Sequence, residues 1–372
     1  MDIIYNYMSL YYSGIYDLPR NILIALLIAF FSLSLLIIFY FSIIIKRLIY
    51  IFYKSRDQYW TEQIDQLLNM FLSDIDEEQI TDPVAKILSE FRKIPLKKRF
   101  IKHLLYQQIL AYHKNFTGNA AEKLKELFLQ LHLEDITKNK LMSGIVQLKI
   151  RGIMDTAQLT LTEFSPIVEQ LLHHRSSEIR IEAQAAYIIL NKAHPFDFFD
   201  EVKEPIQDWH QLVLLDLITR LNSNELPNFS RWLSSNNRSV IELCLKLIVH
   251  FQQYEAIGRI VDLLNHPDTE IKHLSIQALG EFEAVDAEQA LLDCYAHETV
   301  EIQAEIIKAL GRINSGKQLD FFMHTAALQQ FEIAFEASKA LIASGTKGIE
   351  LLKKYQVQAP PMNKQILNQL IG

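Results

Sequence analysis

The chain has 372 residues, a formal net charge of −7 and an apolar fraction of 49%. The acidic balance weighs against general nucleic-acid binding, which rests on clustered Lys and Arg. The two cysteines, Cys244 and Cys294, are too few for a disulfide framework or a Cys-rich zinc module. Eleven glycines and ten prolines are few for this length, so the chain reads as mostly helix.

Residues 1–21 form a short tail rich in tyrosine: Tyr5, Tyr7, Tyr11, Tyr12 and Tyr16. From Ile22 to Ile45 the chain runs 24 residues without a charge, and 18 of them are Ile, Leu or Phe. As a helix this run is about 36 Å long, against a hydrocarbon core of about 30 Å. Each Leu, Ile or Phe favours insertion by roughly 0.3–0.6 kcal/mol, so the run predicts a transmembrane helix. It is too long for a signal peptide, and Lys46-Arg47 follows it where a small-residue cleavage site would stand. Arg20 lies before the span; Lys46, Arg47, Lys54 and Arg56 lie after it. That asymmetry predicts an N-terminus outside and the rest of the chain on the cytoplasmic side of a cell (inner) membrane. Tyr50, Phe52, Tyr53, Tyr59 and Trp60 suit an aromatic belt at the interface. Ala25 and Ala29 make a small-xxx-small pair of the kind that lets another helix approach.

After a basic juxtamembrane segment, 46–56, residues 57–155 read as helices over 57–72, 83–91, 96–113, 119–131 and 138–154. Asp74 to Glu78 reads as a solvated acidic turn, and Gly118-Asn119 as a break. The region suits atypical repeats at the membrane end of an array.

A repeat is explicit in 156–345. Ile179, Val240, Ile271, Ile302 and Ile333 mark equivalent positions, the last four spaced by 31 residues. A further copy is expected at Trp209. Four residues on stand Ala183, Val213, Cys244, Ser275, Ile306 and Ala337; eight on stand Tyr187, Leu217, Ile248, Leu279, Leu310 and Leu341. Seven before stand Leu172, Val202, Leu233, Leu264, Tyr295 and Ala326. This is one helical face repeated six times, each copy preceded by another helix. Ser176-Ser177, Asn236-Asn237 and Pro267-Asp268 supply start signals for the second helices. Such hairpins bury their apolar stripes only when stacked. Pro360-Pro361 then sets off a closing helix, 362–370, within a capping segment 346–372.

The stretch Asp268-Thr-Glu-Ile-Lys-His-Leu-Ser-Ile-Gln-Ala-Leu-Gly280 resembles a HEAT repeat, as do the runs Val300–Gly311 and Ser177–Ala186. Arg180 matches the family's usual arginine, with Lys272 a softer match; the copies at Trp209 and Val240 depart from the pattern. The short period is similar to the bacterial subgroup that includes phycobilin-lyase-type repeats. The resemblance implies an all-α protein: one transmembrane helix, then an α-α superhelical solenoid.

No P-loop, GxGxxG, HExxH or GxSxG occurs, and no catalytic residue, metal or cofactor is implied. His173-His174, and the group His266, Asp268 and His273, read as ordinary helix-end and turn residues. The resemblance implies that the second helices line a surface for protein partners. Six and ten residues after each anchor, this ridge takes Ala185, Ile189, Leu215, Lys246, His250, Gln277, Glu281, Lys308, Arg312 and Lys339, apolar at first and basic later. The expected function is a membrane-anchored scaffold for membrane-associated proteins, with no nucleic acid or small-molecule substrate. By resemblance its partners belong to a membrane glycosyltransferase or an envelope or exopolysaccharide system. Two alternatives share the repeat: a lyase or chaperone for a tetrapyrrole-binding protein, and a nucleic-acid lesion binder.

Overall fold

The computed structural model describes residues 19–76, 83–91, 93–221 and 226–371, and among them every regular element is helical. Residues 1–18 of the tyrosine-rich tail, and Glu77-Glu78 of the expected acidic turn, lie outside the described residues. The chain divides into two compact units between Ser143 and Gly144.

In the first unit, α1 runs unbroken over 57 residues, Arg20–Asp76. No Gly or Pro interrupts it, so nothing stops the apolar run, the basic segment and the helix expected at 57–72 from forming one rod of about 86 Å. From Ile22 to Phe52 its described large apolar side chains are exposed, Ile44 alone being half-buried, and its most apolar window has a mean hydropathy of 2.7. Beyond Trp60 the pattern changes. Ile64, Leu68 and Phe71 are buried at helical spacing. They pack with α2 (Pro83–Phe91), α3 (Arg99–Asn115) and α4 (Asn119–Gln130). A short α5, Glu134–Leu141, closes the unit, and its buried Thr137 shares a 3.0 Å hydrogen bond with the buried hydroxyl of Tyr106. The helix expected over 138–154 is two helices, because Met142–Ile145, with Gly144, breaks the path between Leu141 and Val146.

The second unit is a stack of helical pairs. Its second helices are α6 (Val146–Gln158), α8 (Ser177–Leu190), α9 (Asp208–Thr219), α10 (Arg238–His250), α12 (Thr269–Glu281), α14 (Val300–Ile313) and α16 (Phe331–Ala343). In front of them stand α7 (Ser165–Leu171), α11 (Ile257–Asp262), α13 (Glu288–Tyr295) and α15 (Leu319–Ala326). In two copies only a short 3-10 turn stands there, Asp197–Asp200 before α9 and Phe229–Ser234 before α10. Consecutive second helices pack on one another from α8 to α16. Then α17 (Thr346–Gln358) and α18 (Pro361–Ile371) cover the last pair. The expected start signals act at two places. Asn237 accepts from the amide of Ser239 (3.1 Å), and Asp268 from those of Glu270 and Ile271 (3.0 and 3.3 Å).

Ile179, Val240, Ile271, Ile302 and Ile333 are all buried, and the copy between the first two has another register than expected. In α9 the buried residues are His210, Gln211, Leu214 and Ile218, whereas Trp209, Leu212 and Val213 are exposed. The anchor of this copy is therefore His210, 31 residues after Ile179 and 30 before Val240. An apolar-only reading passes over it because the anchor is a histidine.

A backbone signature accompanies the stripe. Twelve residues after successive anchors, Gln252, Glu283, Asn314 and Gly345 all have positive φ, at 52°, 48°, 45° and 79°. After α10 and α12 the next amide reaches back over the last turn, Gln253 N to Ile248 O at 3.0 Å and Ala284 N to Leu279 O at 3.1 Å. This left-handed closure satisfies the carbonyls that a helix end leaves open. Thr160 and His132 close α6 and α4 in the same way, with Leu161 N on Thr156 O and Leu133 N on Phe128 O.

Candidate partner-binding site

Ridge residues Ala185, Ile189, Leu215, Lys246, Gln277 and Lys308 are half-buried, and His250, Glu281, Arg312 and Lys339 are exposed. With the register of α9 corrected, the position equivalent to Lys246 is Asp216, and Arg220 follows it four residues on at 2.8 Å. The basic end of the ridge is neutralised by acids of the same helices. Lys308 pairs with Glu305 at 3.1 Å and Lys339 with Glu336 at 3.1 Å, while Arg312 pairs across the stack with Glu281. Lys246 donates to Gln211 Oε1 at 2.8 Å. The ridge is thus a mixed-charge ladder. Other ties between copies run from Arg238 to Asp268 (3.1 Å) and from Lys272 to Glu298.

The concave feature lies in the irregular copy. Between Pro195 and Pro205 the chain carries Asp197, Asp200, Glu201 and Glu204 at helical spacing. Like charges three and four apart repel on a helix, and the residue before a proline avoids helical geometry. The first helix of this copy is consequently reduced to Asp197–Asp200. Phe196, Phe198 and Phe199 still anchor the turn in the core, with Phe199 edge-on to Trp232 at 5.4 Å. Asp200 accepts from the Trp232 indole at 2.9 Å and pairs with Arg231. The loop after it is pinned from the next copy: Asn237 Nδ2 donates to the carbonyls of Val202 (3.0 Å) and Glu204 (3.1 Å), and Ile206 N donates to Ser239 Oγ at 2.7 Å.

Where a full helix would stand there is a pocket of about 510 Å³ between this loop, α8 and the start of α9. Leu172, Ile181, Val202, Pro205 and Ile206 give it apolar wall, and Asp200, Glu201, Glu204, Arg180 and Lys203 give it charge. Gln184 and His210 also line it; they are 3% and 5% exposed, and the protein supplies no hydrogen-bond partner to Gln184 Oε1 or His210 Nε2. Burial, reinforced by the charge of Arg180, pushes the His210 pKa down to about 4, so the ring is neutral at neutral pH. Arg180 Nη1 is held by the carbonyls of His174 (2.8 Å) and Arg175 (3.1 Å). Of these residues the sequence marks Arg180 as the repeat's arginine and Leu172 and Val202 as register positions, and none of the others. The signal for the others was a polar residue in an anchor position, between two prolines that break the repeat and a well-formed next copy.

Among the described residues no cluster of His, Cys, Asp and Glu has the make-up of a metal site. Burial pushes the Cys244 thiol well up, as suits a core residue. His266 Nδ1 accepts from the amide of Asp268 at 3.1 Å and so takes part in the turn.

A family model described as HEAT repeats matches residues 226–311. That segment spans α10 to α14 with the turn before α10. No curated protein matches the chain. Among solved structures, the chain is similar to an engineered protein at 13% identity, covering 81% of this chain and 86% of that one with a TM-score of 0.31. It is also similar to Kap121p bound to Nup53p, at 12% identity and a TM-score of 0.34, covering 82% of this chain and 37% of Kap121p. For Kap121p bound to RanGTP the identity is 13% and the TM-score 0.33, over 82% of this chain and 36% of that one.

Proposed function

We propose that this protein is a single-pass membrane scaffold whose helical repeats hold protein partners at the cytoplasmic face of a cell membrane. The observation that carries the reading is α1. Nearly all its described apolar side chains are exposed from Ile22 to Phe52, and the same helix then enters a packed core at Ile64. A surface of about thirty consecutive mostly apolar positions is far beyond what a soluble monomer leaves in water, and a bilayer is the environment that covers it. Lys46 and Arg47, both exposed, mark the cytoplasmic boundary against Arg20 at the start of the helix. Anchoring repeats beside the bilayer raises their effective concentration toward other membrane proteins. Organisation of a membrane glycosyltransferase or an exopolysaccharide system is the narrower form of this reading, and the resemblance alone supports it.

The test is recovery of partners with the full chain in mild detergent, compared between the native protein and the pair Lys308→Glu, Arg312→Glu. Reversal sets new carboxylates beside Glu305 and Glu281, so a partner docked on the ridge is lost. Recovery unchanged by the reversal removes the ridge from the docking surface. Absence of any specific protein with the native chain removes the scaffold.

A further inference from the structure

The pocket beside α9 is built as a receptor, and its floor states what it receives. Gln184 Oε1 accepts hydrogen bonds. A neutral imidazole whose Nδ1 carries the proton accepts through Nε2. Leaving a buried polar atom without a partner costs on the order of 1–3 kcal/mol, which the protein accepts here twice within one cavity; His210 Nε2 joins Gln184 Oε1 as an acceptor in the Nδ1-protonated tautomer. The same pocket is lined by two exposed carboxylates, Glu204 and Glu201, the latter also within 3.2 Å of His173 Nε2. Of the basic side chains in the wall, Arg180 holds two backbone carbonyls, His173 lies against Glu201 and Lys203 is exposed at the end of a flexible stem. The loop that forms the outer wall is held by Asn237 and Ser239 of the next copy, so the cavity is formed before anything enters it.

We propose that this pocket binds a basic side chain, an arginine or lysine presented by a partner protein. Its donor-tipped end reaches Gln184 and His210, its methylene stem lies along Leu172 and Ile181, and the two exposed carboxylates balance its charge. The proposal rests on the scaffold reading for the source of the side chain, while the chemistry of the pocket is independent of it. A pocket of this size takes more than a single side chain, so the flanking residues of the partner enter with it.

The probes are agmatine and the peptide acetyl-Gly-Arg-Gly-amide, titrated calorimetrically into the full chain in detergent micelles, with acetyl-Gly-Glu-Gly-amide as the opposite-charge control. Both basic probes bind, and the glutamate peptide does not. Gln184→Met keeps the side-chain volume, removes the acceptor and weakens binding by about tenfold or more, the value of a hydrogen bond to a charged group. Should Gln184→Met fail to fold, Glu204→Gln at an exposed position gives a second reading, with binding weakened severalfold. Absence of binding, equal binding to a folded variant, or preference for the glutamate peptide overturns the proposal; the last outcome assigns the pocket to a carboxylate on Arg180. Binding of agmatine with no protein recovered from cells leaves the pocket as a site for a free amine and defeats the scaffold. Partner recovery undiminished by Gln184→Met, with basic probes still bound, places the partner elsewhere and defeats the assignment of the source.

Discussion

At the scale of single residues, His210 is where stability and site meet. It holds an anchor position that Ile or Val fills in five other copies, and it does so with a buried, unpartnered ring nitrogen. Leu at this position removes the orphan and keeps an apolar contact, so His210→Leu raises stability at neutral pH by about 1 kcal/mol in a denaturant melt. The same substitution changes the pH profile. The folded pKa lies near 4 and the unfolded value near 6.5, so between these the unfolded chain binds the extra proton. Stability therefore falls as pH falls through this window and levels off below it. The full swing is at most about 3 kcal/mol. Between pH 7 and pH 4.5 the native protein loses about 2 kcal/mol more than His210→Leu, on top of whatever the carboxylates contribute to both. Equal losses in the two proteins would mean that the ring is solvated.

At the scale of elements, the repeat is kept by two devices that apolar periodicity does not show. One is the left-handed residue that closes α10, α12, α14 and α16. Its side chains are Gln252, Glu283, Asn314 and Gly345, so no residue type marks it in the sequence. A residue with a Cβ pays roughly 1–2 kcal/mol for that conformation, and Glu283→Gly stabilises the protein by about 1 kcal/mol, read as a raised melting temperature. The other device is close approach of second helices. A Cβ built on Gly311 would stand 2.8 Å from that of Ala340, and one on Gly280 3.0 Å from the Cα of Ala309. Gly311→Ala would gain helix propensity of about 1 kcal/mol in isolation. Here it forces α14 off α16 and lowers stability by about 1–3 kcal/mol. Reading the sequence gave the helical class, the 31-residue period and five of six anchors, because Ile, Val, Leu and Ala recur at fixed spacing. It lost the register of α9 to a buried histidine and an exposed Trp209. It took Lys308, Arg312 and Lys339 as open charge because their acidic partners become neighbours only when helices wind and stack. The pocket was invisible for a related reason: it is the space of a helix that does not form.

At the scale of the whole molecule, the chain joins one long helix with an exposed apolar surface to repeats that bury their own core. The exposed part of α1 and its buried part lie on the same continuous rod, so the change of environment happens within a helix rather than at a linker. Lys54 and Arg56, which follow the boundary, are placed over aromatic rings, Lys54 over Tyr50 at 6.0 Å and Arg56 over Phe100 at 3.8 Å. Cations above rings suit the polar edge of a bilayer, where the stem is covered and the charge stays wet. The membrane reading can then be tested without touching the repeats. Ile28 and Leu35 are 63% and 51% exposed and contribute nothing to a protein core, so the double substitution Ile28→Lys, Leu35→Lys leaves the helical content of the packed units unchanged. Each lysine near the centre of a span costs about 2.5–3.5 kcal/mol on insertion scales, and the pair cancels most of what the apolar run supplies. After expression and an alkaline carbonate wash the native chain stays in the membrane pellet, whereas the double variant moves to the supernatant with an unchanged far-ultraviolet dichroism spectrum per helix. Retention of the variant in the pellet would mean that a protein partner, rather than lipid, covers α1, and release of the native chain by the wash would mean that α1 lies on the membrane without crossing it.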